Sequence, residues 1–210
     1  MATLSQMRDA ICSEYSVSPM RMKALSQALS AAGLRTDGGS GRGAAQMSGL
    51  DVATHAISVM LDVPTKDAPD VVREIVTMTL ANGSWMRDDN MMWEYSAASS
   101  TSPMMKMLAA AHRPDAAFPA PDSLGDLLGK WVDGTLDPKL GTYIDGTTTL
   151  ELSNAGPHAR FVYQGEQDSV VLIYKPEGAI IPKRALWERK LLVTGAVFKR
   201  LHEICHNQST

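Results

Sequence analysis

Apolar residues recur at three- and four-residue spacing through the first 62 positions. Leu4, Met7, Ala10 and Ile11, continued by Tyr15, share one face and predict a first helix. After a break at Ser16-Val17, Ser18 offers an N-cap oxygen, and Pro19 suits the first helical position because its missing N–H would be unpaired there anyway. Met22, Leu25, Ala28 and Leu29 then form a stripe that predicts a helix over about 19–32, closed by Gly33. The stretch Thr36–Gly43 is too rich in glycine for a helix and predicts a tight, two-armed turn. Ser48, with Asp51 three residues on, is a capping-box variant that opens a third helix carrying Leu50, Ala53, Ile57, Met60 and Leu61 inward.

From 64 to about 133 the helical pattern loosens, because Pro64, Pro69, Pro103, Pro114, Pro119 and Pro121 divide short apolar pieces. A helical middle region is expected. Its strongest piece covers 69–81, with Val72, Ile75, Val76 and Leu80 on one face and Asn82-Gly83 as the stop. Residues 113–122 predict a semi-rigid Pro-rich linker, and a short helix is expected at about 123–133. The last third changes period. Thr148–Leu152 and His158–Tyr163 are β-branched and aromatic and predict a hairpin, followed by a strand at Val170–Tyr174. Trp187, Arg189, Leu191 and Val193 alternate as a further strand, and Thr194 caps a final helix with Val197, Leu201 and Ile204 inward.

Composition narrows the classes. The 210 residues are 44% hydrophobic and 20% charged, ordinary globular usage that excludes a disordered chain. No apolar run approaches a bilayer span and no basic, then apolar, leader opens the chain, so a soluble, cytoplasmic protein without membrane contact is expected. Cys12 and Cys205 lie far apart in sequence and outside any Cys-x-x-Cys spacing, which leaves neither a disulfide framework nor a zinc ribbon. The formal charge of −3 is unevenly spread: the first 50 residues carry +2, residues 51–159 carry −8 and residues 160–210 carry +3. A local polyanion-binding surface is compatible with that distribution; a general positive coat is not.

The order helix, short turn, helix, Gly-rich loop, helix resembles the winged helix-turn-helix of MerR-like regulators and phage excisionases. The matching residues are Val17-Ser18-Pro19 entering the second helix, Ala32-Gly33-Leu34 leaving it, and Gly39-Ser40-Gly41-Arg42-Gly43 as the wing. The Gly-rich segment with Asp51-Val52-Ala53, and the ending Val193–Leu201, also resemble uncharacterised proteins encoded in bacterial prophages. The resemblance implies a winged-helix-like DNA-binding module at 1–63; with the helical middle expected at 64–133 and the small antiparallel sheet and terminal helix that the residue pattern predicts at 134–210, the expected fold class is α+β. The resemblance also implies double-stranded DNA as partner, with Arg21, Lys23, Arg35 and Arg42 as contacts and Gly39, Gly41 and Gly43 letting the wing approach the duplex. Asp37 departs from that pattern, since it would repel phosphate.

His202-Glu203-Ile204-Cys205-His206 satisfies H-E-x-x-H, which on a helix places two imidazoles on one face for zinc. A metallopeptidase needs a third ligand, commonly downstream, and four residues follow. The match is therefore taken as accidental, histidines being favoured near a helix C-terminus by the dipole, and no metal or cofactor is expected. The Gly-rich segment has no lysine and no preceding strand, so it is not a phosphate loop, and no G-x-S-x-G elbow is present. The expected function is a non-enzymatic, phage-related DNA-binding transcriptional regulator acting as a homo-oligomer. A phage packaging or assembly component such as a small terminase subunit, with a phage or host protein partner, is the alternative. The stretch Trp85–Tyr95, with Met91, Met92 and Trp93, is the expected partner-facing patch.

Overall fold

A computed structural model describes residues 2–37, 46–96, 120–136, 148–153, 158–176 and 190–206. Among them the chain is α+β: six helices and six strands in one antiparallel sheet. In order these are α1 Leu4–Tyr15, α2 Pro19–Ala31, α3 Gly49–Met60, α4 Ala68–Val76, β1 Thr79–Arg87, β2 Asn90–Ser96, α5 Leu124–Asp133, β3 Thr149–Ser153, β4 His158–Gln164, β5 Asp168–Lys175, β6 Lys190–Thr194 and α6 Gly195–His206.

The contacts divide the chain into two compact units that are not consecutive segments: 1–76 with 125–135 and 197–210, and 77–124 with 136–196. Boundaries near 63 and 133 do not coincide with this division, because α5 and most of α6 return to the unit that contains the first four helices.

The helical unit is organised by α3, ten of whose 12 residues are buried. A single inward stripe does not describe it: Val52, Ala53, Ala56, Ile57 and Val59 are buried around the helix, whereas Leu50, Met60 and Leu61 are half-buried. Its buried hydroxyls bond within the helix, Thr54 to the Asp51 carbonyl and Ser58 to the Thr54 carbonyl. Helices α1 and α4 both pack against α2, whose Met22, Leu25 and Leu29 are buried. Between α5 and α6, Trp131 and Phe198 stack at a centroid distance of 3.7 Å.

The expected helical middle is corrected. Helix α4 ends at Val76, and Leu80, Asn82 and Gly83 lie inside strand β1. Leu80 matched the helical period by coincidence; its backbone N–H donates to the Asp122 carbonyl and its Cα opposes Tyr174. Gly83 does not stop a helix but leaves room for Trp93, since a Cβ there would meet that ring at 2.5 Å. The β1–β2 hairpin turns through Asp88 and Asp89, both at positive φ.

Strand order in the sheet is β2-β1-β5-β4-β3-β6. One face is buried across the register: Trp93 opposite Trp85, Trp85 opposite Val170, then Leu172, Phe161, Leu150 and Val193 in a row across β5, β4, β3 and β6. Trp85 and Trp93 of the expected partner patch are thus core and Tyr95 is half-buried, while Met91 and Met92 on edge strand β2 are exposed. Strands β3, β4 and β5 and helix α5 stand where the periodicity placed them. Pro114, Pro119, Trp187 and Arg189 lie outside the described residues. Among the described residues no helix is long and apolar enough to cross a membrane.

Candidate functional site

Helix α2 presents two different faces. Ser18 Oγ accepts the Arg21 N–H at its start, and Gly33, at φ 68°, ends it in a left-handed turn with the Leu34 N–H donating to the Leu29 carbonyl. Met22, Leu25, Ser26 and Leu29 are buried. The opposite face exposes Met20, Lys23, Gln27 and Ala31 at helical spacing, with Met20 83% exposed. No aspartate or glutamate occurs anywhere in α2. A rigid, capped helix about 20 Å long therefore offers solvent a face whose one full charge is a lysine.

The predicted contacts are not equally available. Lys23 is exposed and forms no ion pair among the described residues. Arg21 is bound to Asp62 at 2.7 Å and to the Val63 carbonyl at 3.4 Å, and both partners of the ion pair are substantially exposed. Arg35 turns inward: its side chain is 10% exposed, and it donates to the Thr36 carbonyl and to Asp37. Asp37 is also bonded to Ser30 Oγ, so the acidic group expected to repel phosphate is engaged at the C-terminal end of α2. Gly39, Gly41, Arg42 and Gly43 lie outside the described residues.

Sequence reasoning identified Asp51 as a capping residue and missed its second role. One carboxylate oxygen accepts the Thr36 N–H at 2.8 Å, and the other accepts the Ser48 N–H and hydroxyl at 2.8 Å each. Thr36 precedes the Gly-rich segment and Ser48 follows it, so this 3% exposed carboxylate pins both ends of the segment to the first turn of α3. Gln27 was also missed; its signal is the four-residue spacing from Lys23.

A second cluster forms at the end of α6. His202 and His206 share a face, with ring centroids 4.5 Å apart. Among the described residues the zinc-peptidase arrangement is not built: Glu203 accepts from Arg200 at 3.0 Å, and the donor atoms that gather within 4.8 Å of one another belong to Asp133, Cys205 and His206 and not to His202, whose Nδ1 donates to the Val132 carbonyl at 2.7 Å. Asp133 nevertheless joins the cluster from α5. Its Oδ1 accepts the Gly49 N–H at 2.9 Å and lies 3.8 Å from Cys205 Sγ and 3.7 Å from His206 Nε2. Burial, and then the Asp133 charge, push the Cys205 thiol up to about 11. Burial and the neighbouring His202 hold His206 below its ordinary value.

Compared with protein-family models, curated proteins and solved structures, the chain matches none.

Proposed function

We propose that this chain binds double-stranded DNA through the outward face of α2 and works as an oligomeric, phage-related transcriptional regulator. The observation that supports it is the acid-free face of α2 with exposed Lys23 and Gln27, in a protein whose net charge is negative. An α-helix fits the major groove. Lysine there can meet guanine or phosphate, and glutamine can pair with both adenine edge atoms. Arg42, at the Gly-rich segment whose ends Asp51 holds, is assigned to phosphate or the minor groove beside the helix. Arg21 takes part by exchanging Asp62 for phosphate, an exchange that an exposed pair allows at little cost. Arg35 is left to structure.

Fluorescence anisotropy with mixed-sequence duplex DNA tests the proposal over a range of salt. Wild type should bind more weakly as salt rises, and Lys23→Ala or Arg42→Ala should lower the magnitude of the log–log salt slope by about one unit each if the residue meets phosphate. Asp62→Asn should strengthen binding by releasing Arg21. Absence of salt-dependent binding in wild type, or full affinity in a folded Lys23→Ala, Arg42→Ala double variant, refutes the interface. The mass of the DNA complex then separates the roles: a dimer on a palindromic site agrees with regulation, and a ring of many subunits moves the same face to packaging.

A further inference from the structure

The histidine-rich end of α6 takes no part in the DNA face, and its chemistry differs in kind. Cysteine, histidine and aspartate supply sulfur, nitrogen and oxygen donors, and the ligand atoms of Asp133, Cys205 and His206 lie within 4.8 Å of one another. We propose that these three residues form a Zn2+ site that joins the C-terminal end of α5 to the last turn of α6.

The distances carry the argument. With Zn–S near 2.3 Å and Zn–N or Zn–O near 2.0–2.2 Å, donors on a tetrahedral ion stand about 3.4–3.6 Å apart. The Asp133 carboxylate oxygen lies 3.8 Å from Cys205 Sγ and 3.7 Å from His206 Nε2, within a few tenths of an ångström of those edges. The remaining edge, Cys205 Sγ to His206 Nε2, lies within 4.8 Å and has to shorten by about 1 Å as the ion binds. His206 Nε2 is itself a buried nitrogen without a hydrogen-bond partner, and at 3.7 Å from the carboxylate it is too far for a hydrogen bond while close enough for a shared cation. The Gly49 N–H, donating to Asp133 Oδ1, orients the carboxylate in the way outer-shell groups orient metal ligands. A thiolate with an imidazole selects zinc or a similar borderline ion over magnesium or calcium, which prefer all-oxygen sites. As the ion binds, the Cys205 thiol releases its proton to solvent and a Zn–S bond forms.

This site is distinct from the H-E-x-x-H arrangement that its sequence spells. Glu203 is paired with Arg200, and the donors that gather within 4.8 Å of one another are Asp133, Cys205 and His206, so neither a water-activating glutamate nor the His202–His206 pair defines it. Its consequence is structural. Asp133 already touches the first residue of α3, so the ion ties α6 to both α5 and the buried centre of the helical unit.

The experiment uses the full chain, stripped with a chelator and then titrated with Co2+, whose thiolate charge-transfer band reports sulfur ligation, followed by Zn2+. Wild type should develop the band at one equivalent, lose it on Zn2+ addition, and melt at a higher temperature with Zn2+ than without. His206→Gln, at a partly exposed position that tolerates exchange, should abolish the one-equivalent band and the melting shift, as should Cys205→Ser. Cys12→Ser and His202→Ala should retain both. No band in wild type, a band that survives Cys205→Ser, or one lost in Cys12→Ser overturns the assignment. Full binding in folded His206→Gln does so as well, independently of how Cys205→Ser folds.

Discussion

Acid should unfold the helical unit from its centre, through His55. This residue is fully buried in α3, and its Nδ1 donates to the Asp51 carbonyl at 2.7 Å. Its Nε2 is buried without a hydrogen-bond partner. Burial pushes the imidazole down to about 4, and this outweighs the opposing influence of the Asp51 carbonyl and charge, while Arg35 adds to the depression. In the unfolded chain the same ring titrates near 6.5. Between these two values the unfolded state binds the proton and the folded state does not, so stability falls as pH falls. The contribution is fully present above about pH 6.5, is reduced by about 2 kcal/mol at pH 5, and is reduced by about 3 kcal/mol below pH 4.

Urea unfolding at a series of pH values between 7.5 and 4.5 measures the loss directly. His55→Leu supplies the comparison, because leucine fits an apolar surrounding and the Asp51 carbonyl still accepts the backbone N–H of residue 55 in the helix. The variant should show a markedly flatter dependence over that range, the residual slope coming from groups such as His206, also held below its ordinary value and acting in the same direction. A wild type whose stability is flat from pH 7 to 5, or a variant that keeps the full slope, would refute the assignment to His55.

Two further substitutions probe close approaches and strain. Gly49→Ala should destabilise the protein by about 1–3 kcal/mol in urea, since the new Cβ would lie 2.5 Å from the Gly129 carbonyl oxygen and 2.8 Å from the Asp133 nitrogen, backbone atoms that cannot swing aside; unchanged stability would deny the close packing of α3 on α5. Asp89→Gly should stabilise it by about 0.5–1 kcal/mol, because Asp88 and Asp89 sit at φ 47° and 61° in a two-residue hairpin turn that favours glycine; a loss of stability would show that the aspartate side chain, not the backbone, governs the turn.

The first three helices were legible because their boundaries rest on local chemistry. Thr3 and Ser48 each close a capping box, and Ser18 with Pro19 starts α2, interactions that need no distant partner. Strands β1 and β2 were not legible for the opposite reason. Trp85 and Trp93 face each other across a hairpin, and β1 gains its second neighbour from β5, more than 80 residues later, so pairing overrode a helical periodicity that continued by chance through Leu80. The final helix was placed correctly, yet its largest buried residue, Phe198, was missed because the ring that covers it, Trp131, comes from α5.

The candidate sites divide along the same line. Lys23 on the outer face of α2 follows from the spacing of the buried residues behind it, whereas the withdrawal of Arg35 depends on contacts with Thr36 and Asp37 that spacing does not encode. At the other end of the chain, the H-E-x-x-H spacing points to His202 and His206 as a donor pair. The donor set instead draws Asp133 from 72 residues before Cys205 and replaces one histidine with the cysteine between them. Asp133 reaches that position because Gly49 lets α3 and α5 approach closely and its N–H holds the carboxylate. A side-chain atom added at Gly49 would therefore disturb the packing of α3 and the Asp133 carboxylate together. The stability loss expected of Gly49→Ala should accordingly be accompanied by weaker Zn2+ binding, a coupling that follows from helix packing and that no local motif records.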